Sequence, residues 1–349
     1  MSDGARLAEL GARFAHQANQ AHREHSPLYE RLARGVAEDR EMLTLAAHAR
    51  STPESSLLLT AAHYLLLGGE EGAVAAFYPS VVGEARGEGD PYPLFRDFCL
   101  EHAEEIRTLI STRRVQQNEV RRCALLLPAF GLVAERVRSP LALVEVGASA
   151  GLNLLFDRYA YDYGDGRLRG DTGSPVRLAC GLRGDRVPPL PDEPPAVAWR
   201  VGLDLNPLDI RDPEAARWLE ALIWPEEYAH GAPRLRHAVS VAEQEPPTLL
   251  AGDALDLLPE ALAAVPEGAS PCVFHTFTLN QISDEGRQLF STILAEHARE
   301  RDIHRVSIEW LGADDSPLLR LSRYTDGAEE DLLLARCDDL GEWLEWLGS

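Results

Sequence analysis

Val144-Glu145-Val146-Gly147-Ala148-Ser149-Ala150-Gly151-Leu152-Asn153 decides the fold, because an apolar run stops there at a turn of small residues. Residues Leu141 to Val146 are almost all apolar, the pattern of a strand buried on both faces of a parallel sheet. In a wound sheet, ligands sit outside the carboxyl ends of the strands, where glycine lets backbone come close. The spacing here is G-x-x-x-G and not G-x-G-x-x-G, so the glycine fingerprint of a dinucleotide site is incomplete. A helix is expected after Gly151.

Working outward, similar apolar runs at 196–205, 248–251, 271–277 and 304–311 alternate with helical patterns at 213–223, 233–243, 256–264 and 284–300. That alternation predicts an α/β fold, a mostly parallel sheet wound with crossover helices. Residues 332–336 and 342–347 read as a C-terminal antiparallel hairpin, and an Asp165-Gly166 turn marks a second hairpin inserted at 157–195. Upstream, residues 3–137 carry apolar residues at helical spacing with no strand, including helices at about 101–110 and 116–138, the latter containing Pro128. The expected division is an all-helical region, 1–139, and an α/β domain, 140–349.

With 56 acidic against 34 basic residues in 349, the net charge is -22, a field that disfavours nucleic acid and anionic membranes as partners. All 34 basic residues are arginine, which excludes lysine Schiff-base chemistry and a Walker-type phosphate lysine. The five cysteines form no C-x-x-C pair, and His16, His22 and His25 lack metal-site spacing, so no metal centre is expected. The charged start MSDGARLAELGARF and the broken run Leu57–Leu67 point to a cytoplasmic protein without a signal peptide or membrane span.

Two further strand tips carry acids. Asp204, in Gly202-Leu203-Asp204-Leu205-Asn206-Pro207, is placed to accept both hydroxyls of a ribose or, alternatively, to cap its own turn. Asp253 is placed to meet an adenine amino group or to N-cap the next helix.

The order E-V-G-x-x-x-G, G-x-D-x-x-P, G-D-A-x-D-x-L-P resembles the Rossmann-like core of class I methyltransferases that use S-adenosylmethionine. Together with Ser26 to Tyr29, Arg114 to Glu119, Asp204 to Ile210 and Phe274 to Ser283, it resembles a bacterial family catalogued as domain of unknown function 2332. The resemblance implies a helical N-terminal region on a methyltransferase-like sheet. It implies that Glu145, Gly147, Ser149, Gly151 and Asn153 surround the methionine and ribose of the cofactor, with Asp204 on the ribose and Asp253 on the adenine. Ser149 stands where the usual turn has glycine.

At the tip of the fourth strand, His275 is a candidate general base and Asn280 a candidate acceptor-orienting residue, each alternatively bonded within the local turn. If residues 113–122 are helical, Arg114 and Asn118 share one face with Arg121 or Arg122, with Glu119 beside them. They would contact a carboxylate- or phosphate-bearing acceptor in an interdomain cleft, or form a solvated face. The function expected is methyl transfer from S-adenosylmethionine to a small, acidic acceptor. The alternative is a non-catalytic ligand-sensing or protein-interaction module on the same fold.

Overall fold

The computed structural model describes residues 3–19, 26–310 and 316–348. The chain gathers into two compact units, one of residues 1–117 and 211–233 and the other of residues 118–210 and 234–349.

The first unit is helical. Its helices Asp3–Gln17, Pro27–Glu38, Arg40–Ala46, Glu54–Leu67, Tyr92–Glu101 and Ala103–Thr112 are joined by the later Pro213–Ala221. Local chemistry sets several starts: Ser26, Asp39 and Asp212 each accept a first-turn N–H through the side chain, and proline opens two of those helices. Glu54–Leu67 is buried nearly all round, as befits a central helix, and Pro213–Ala221 packs against it.

Residues 113–121 are not helical, which corrects the expected helix over 116–138; that helix is Arg122–Val137 and runs through Pro128. Val115 and Val120, the apolar residues of the segment, are five apart and make no helical stripe. Arg114 and Asn118 therefore share no helix face.

The second unit is a mixed α/β structure around a nine-stranded sheet. Its strands are β1 (Leu141–Val146), β5 (Gly181–Arg183), β6 (Val197–Asp204), β7 (Thr248–Ala251), β8 (Ser270–Thr276), β9 (Ile303–Glu309), β10 (Leu318–Thr325), β11 (Ala328–Cys337) and β12 (Trp343–Trp346). They lie in the order β5-β12-β11-β10-β9-β8-β1-β6-β7. From β9 to β7 all pairings are parallel, whereas β9 to β12 pair antiparallel. All six residues of β1 are buried, because it lies between β6 and β8 with both faces covered. Helix Arg122–Val137 covers part of one face, with Phe130 against Phe156 and Phe274 at ring separations of 4.6 and 5.3 Å.

The insertion forms a separate sheet of β2 (Ala160–Asp162), β3 (Leu168–Gly170) and β4 (Arg177–Ala179), with the Asp165-Gly166 turn between β2 and β3. Strand β10 is not evident from the sequence because Arg320, Ser322 and Arg323 interrupt its apolar run. Their polar groups are satisfied in place, Arg320 and Ser322 donating to Asp331 on β11 and Arg323 to Asp302 just before β9. Among the described residues no helix is long and apolar enough to cross a membrane.

Candidate functional site

After β1 the chain adds β6 and then β7 on one side, and returns to place β8 and β9 on the other. The direction of winding reverses between β1 and β8, and the crevice at the carboxyl ends there is the expected ligand position in an open α/β sheet.

Gly147 opens this crevice. Its N–H donates to Leu203 O at 2.8 Å, its φ is +75°, and a Cβ there would stand 2.3 Å from Thr278 Oγ1. Thr278 in turn donates its hydroxyl to Val146 O at 3.1 Å, so the turns after β1 and β8 are locked together. Ser149 holds φ +53°, a left-handed conformation uncommon outside glycine. Its N–H donates to Asp204 Oδ2 at 2.8 Å, and Asp204 Oδ1 accepts the Asn206 N–H at 2.8 Å. Asp204 thus clamps the turn of β1 and caps its own.

Beyond Gly151 the expected helix is a 3-10 helix, Leu152–Arg158, kinked at Leu155. Side chains draw its backbone groups elsewhere. Asn118 Oδ1 accepts the Leu152 N–H at 3.1 Å, and the Tyr159 hydroxyl donates to Leu152 O at 2.7 Å. Asn118 is buried by this role, and Glu119 is bound by both ends of the Arg234 guanidinium, at 3.1 and 2.9 Å. Arg114 is exposed, and its carbonyl accepts the Trp218 indole N–H at 2.9 Å. The structure therefore does not bring Arg114, Asn118 and Glu119 together as an acceptor site.

Glu145 is the ionisable residue inside β1. Its Oε1 accepts from Asn153 Nδ2 at 3.3 Å, while the buried Oε2 has no hydrogen-bond partner among the described residues. Burial pushes the carboxyl well above its usual range, and the Asp204 charge adds to that against the Asn153 bond and the Arg122 charge. Asn153 Oδ1 lies 3.4 Å from Cys123 Sγ, which completes a small buried polar group beneath the Gly147 turn.

His275 is fully buried in β8 and has both ring nitrogens engaged. Arg305 Nε, which can only donate, lies 3.2 Å from Nε2, so Nδ1 carries the proton and donates to Glu309 Oε1 at 2.6 Å. Burial draws its pKa down, outweighing the Glu309 contact. This corrects the expectation of a general base, since neither nitrogen is placed to take a proton from an acceptor. Glu309, which the sequence does not single out, is the organiser of this end. Its Oε1 also accepts the N–H groups of Thr278 and Leu279 at 2.9 Å, and Oε2 accepts that of Asn280 at 3.3 Å. Burial raises the Glu309 pKa, but the bonds from His275 and the loop outweigh it and hold the group ionised below its usual range. A lone acid ending the run Ile303 to Ile308, at a strand tip beside the crevice, is the signal that marks it.

The Asn280 side chain is exposed at this loop, and Phe277 before it has φ +56°, an outlier for a bulky residue. Asp253 is exposed and N-caps helix Ala254–Ala263, accepting the Leu255 N–H at 2.9 Å. His22 and His25 lie outside the described residues.

Residues 11–346 match the profile of a bacterial protein family described as an uncharacterized protein conserved in bacteria (DUF2332). No curated protein matches the chain.

Proposed function

Since the chain belongs to this DUF2332 family of uncharacterized bacterial proteins, we propose a function from the site itself: a Rossmann-like methyltransferase that transfers a methyl group from S-adenosylmethionine to a small acidic acceptor. The observation that carries it is the unpartnered, buried Glu145 Oε2 beneath a glycine turn, at the point where the winding of the sheet reverses. A buried carboxylate oxygen without a donor is costly, and an ammonium group such as that of the cofactor's methionyl end would satisfy it.

The neighbouring tips fit the rest of such a ligand. Asp204 stands at the tip of β6, next to the Gly147 turn, where a carboxylate can meet ribose hydroxyls. Leu205, 61% exposed beside it, offers an apolar surface to a flat base, and the exposed Asp253 lies at the next strand end. When bound, the cofactor supplies a methyl group activated by a positive sulfonium. The chain's part is positioning: Gly147 and Thr278 fix the crevice, and Glu309 with His275 fixes the loop that faces it. A second reading, a ligand-sensing module that does not turn over, is favoured by the engagement of His275 and Asn118 in structural bonds.

Calorimetry with S-adenosylhomocysteine tests the cofactor half. Micromolar binding to the wild type, weakened about tenfold in Glu145→Gln by loss of a charge-assisted hydrogen bond, is expected. No heat with either S-adenosylmethionine or S-adenosylhomocysteine overturns it, and binding without methyl transfer to any acid in a panel selects the sensing module.

A further inference from the structure

Among the described residues three arginines are buried, Arg122, Arg169 and Arg305. Two have carboxylate partners: Arg169 meets Asp165 at 2.7 Å and Arg305 meets Glu329 at 3.6 Å. Arg122 is different. Only 7% exposed, it donates from Nε to Asp339 O at 2.8 Å and from Nη1 to Thr276 Oγ1 at 3.5 Å, both uncharged groups, and neither bond uses Nη2. Its guanidinium carbon lies 4.5 Å from the centre of the Phe277 ring, which fixes the plane of the group. Phe277 reaches that position only through its left-handed backbone, held by its own N–H on Ile308 O at 2.9 Å and by the Glu309 bonds just after it. A buried cation is ordinarily paired, because an uncompensated one loses its hydration without return.

We propose that Arg122 anchors the carboxylate of a small, singly charged acid at the carboxyl end of β8. The planar fork suits the two oxygens of a carboxylate, and Phe277 presets it. Phosphate has the same shape of contact but fits the surroundings poorly. Arg121 beside it offers no second cation, because it is spent on Leu340 O and Glu342. Asp339, Glu119 and Glu309 also act on the Arg122 charge and oppose every negative charge a ligand brings, so a second charge adds repulsion with no second cation to offset it. Naming the acid as the methyl acceptor rests on the methyl-transfer reading above. Arg122 touches Thr276 at the end of β8 and Phe277 just after it, across the winding reversal from the Ser149–Asp204 pair. The other bearer of this chemistry is the carboxylate of the cofactor's own methionyl end.

Two titrations of the full chain decide between these. In the first, benzoate, its uncharged analogue benzamide and inorganic phosphate are the probes. Benzoate is expected to bind about tenfold tighter than benzamide and tighter than phosphate. Arg122→Gln should erase that preference, and Arg122→Lys should keep part of it. Equal binding of benzoate and benzamide to the wild type overturns the proposal whether or not either variant folds, as does an undiminished preference in folded Arg122→Gln. Tighter binding of phosphate overturns the choice of a monocarboxylate.

In the second, S-adenosylhomocysteine is compared with 5′-methylthioadenosine, which lacks the carboxylate. If Arg122→Gln loses benzoate but keeps S-adenosylhomocysteine, the acid is the acceptor. If S-adenosylhomocysteine weakens to the level of 5′-methylthioadenosine, Arg122 still anchors a carboxylate, but that of the cofactor. Failure of the wild type to bind either nucleoside removes the methyl-transfer reading, and the benzoate preference then tests the anchor by itself.

Discussion

Glu145 is surrounded in β1 by apolar residues only, and its carboxyl is pushed well above the usual range by that burial. Replacing it with glutamine keeps the oxygen that Asn153 binds and removes the ionisable group. At pH 7 the urea midpoint of Glu145→Gln should equal or exceed that of the wild type, whereas a loss of more than about 2 kcal/mol would mean the carboxylate has a structural partner. His304 makes the converse case. It is buried in β9 with neither ring nitrogen bonded among the described residues, and burial, aided by the Arg323 charge, draws its pKa to about 4. The unfolded chain binds this proton near pH 6.5, so between about 6.5 and 4 the unfolded state carries more protons and stability falls as pH falls, by about 1.4 kcal/mol per unit. His63, fully buried in the first unit and also drawn to about 4, contributes the same sign. Urea unfolding from pH 7 to 4.5 should show the summed slope, and His304→Leu should reduce it by about 1.4 kcal/mol per unit; an unchanged slope in the variant would refute the assignment.

At the scale of elements, the loop after β8 is held from a strand 34 residues later in the chain, by the Glu309 carboxylate on His275 and three successive N–H groups. Glu309→Gln turns part of that acceptor into a donor facing donors. A loss of about 2 to 4 kcal/mol is expected, with faster hydrogen exchange at Thr278, Leu279 and Asn280. Protection that stays at the wild-type level would show that the loop does not depend on Glu309. The junction of the β1 and β8 turns is tested by Gly147→Ala, whose Cβ collides with Thr278. It should cost about 1 to 3 kcal/mol, partly recovered by adding Thr278→Ala, and no recovery would place the strain in the backbone alone. The position of His275 at a strand tip was legible in the sequence, but its role was not, because both of its partners come from β9. The Arg114 to Arg122 segment was misread for a related reason. Its polar residues are spent on distant backbone and on Arg234, contacts that no local spacing reveals.

For the molecule as a whole, the strands that end at the crevice were legible because burial on both faces forces continuous apolar runs. Thus β1 and β7 have the expected bounds, and β6, β8 and β9 differ by one or two residues at their ends. Strand β10 escaped because its polar residues are satisfied by Asp331 and Asp302, distant in sequence. Within the site, the Gly147 turn and Asp204 were legible as a pair of adjacent tips, while the ion-pair economy that singles out Arg122 appears only in three dimensions. The charge of -22 acts on the whole chain, so its self-repulsion should be screened by salt. Raising sodium chloride from about 10 to 150 mM should increase the melting temperature, and a flat response would show that the acids are already compensated locally. The central claim is that the crevice between the carboxyl ends of β1 and β8 receives S-adenosylmethionine. A crystal structure with S-adenosylhomocysteine tests it most directly. The methionyl ammonium is expected at Glu145 and the ribose hydroxyls at Asp204. Ligand density elsewhere, for instance in the cleft of about 370 Å³ lined by Leu262, Pro271, His297 and Ile303 at the opposite ends of β8 and β9, would contradict it.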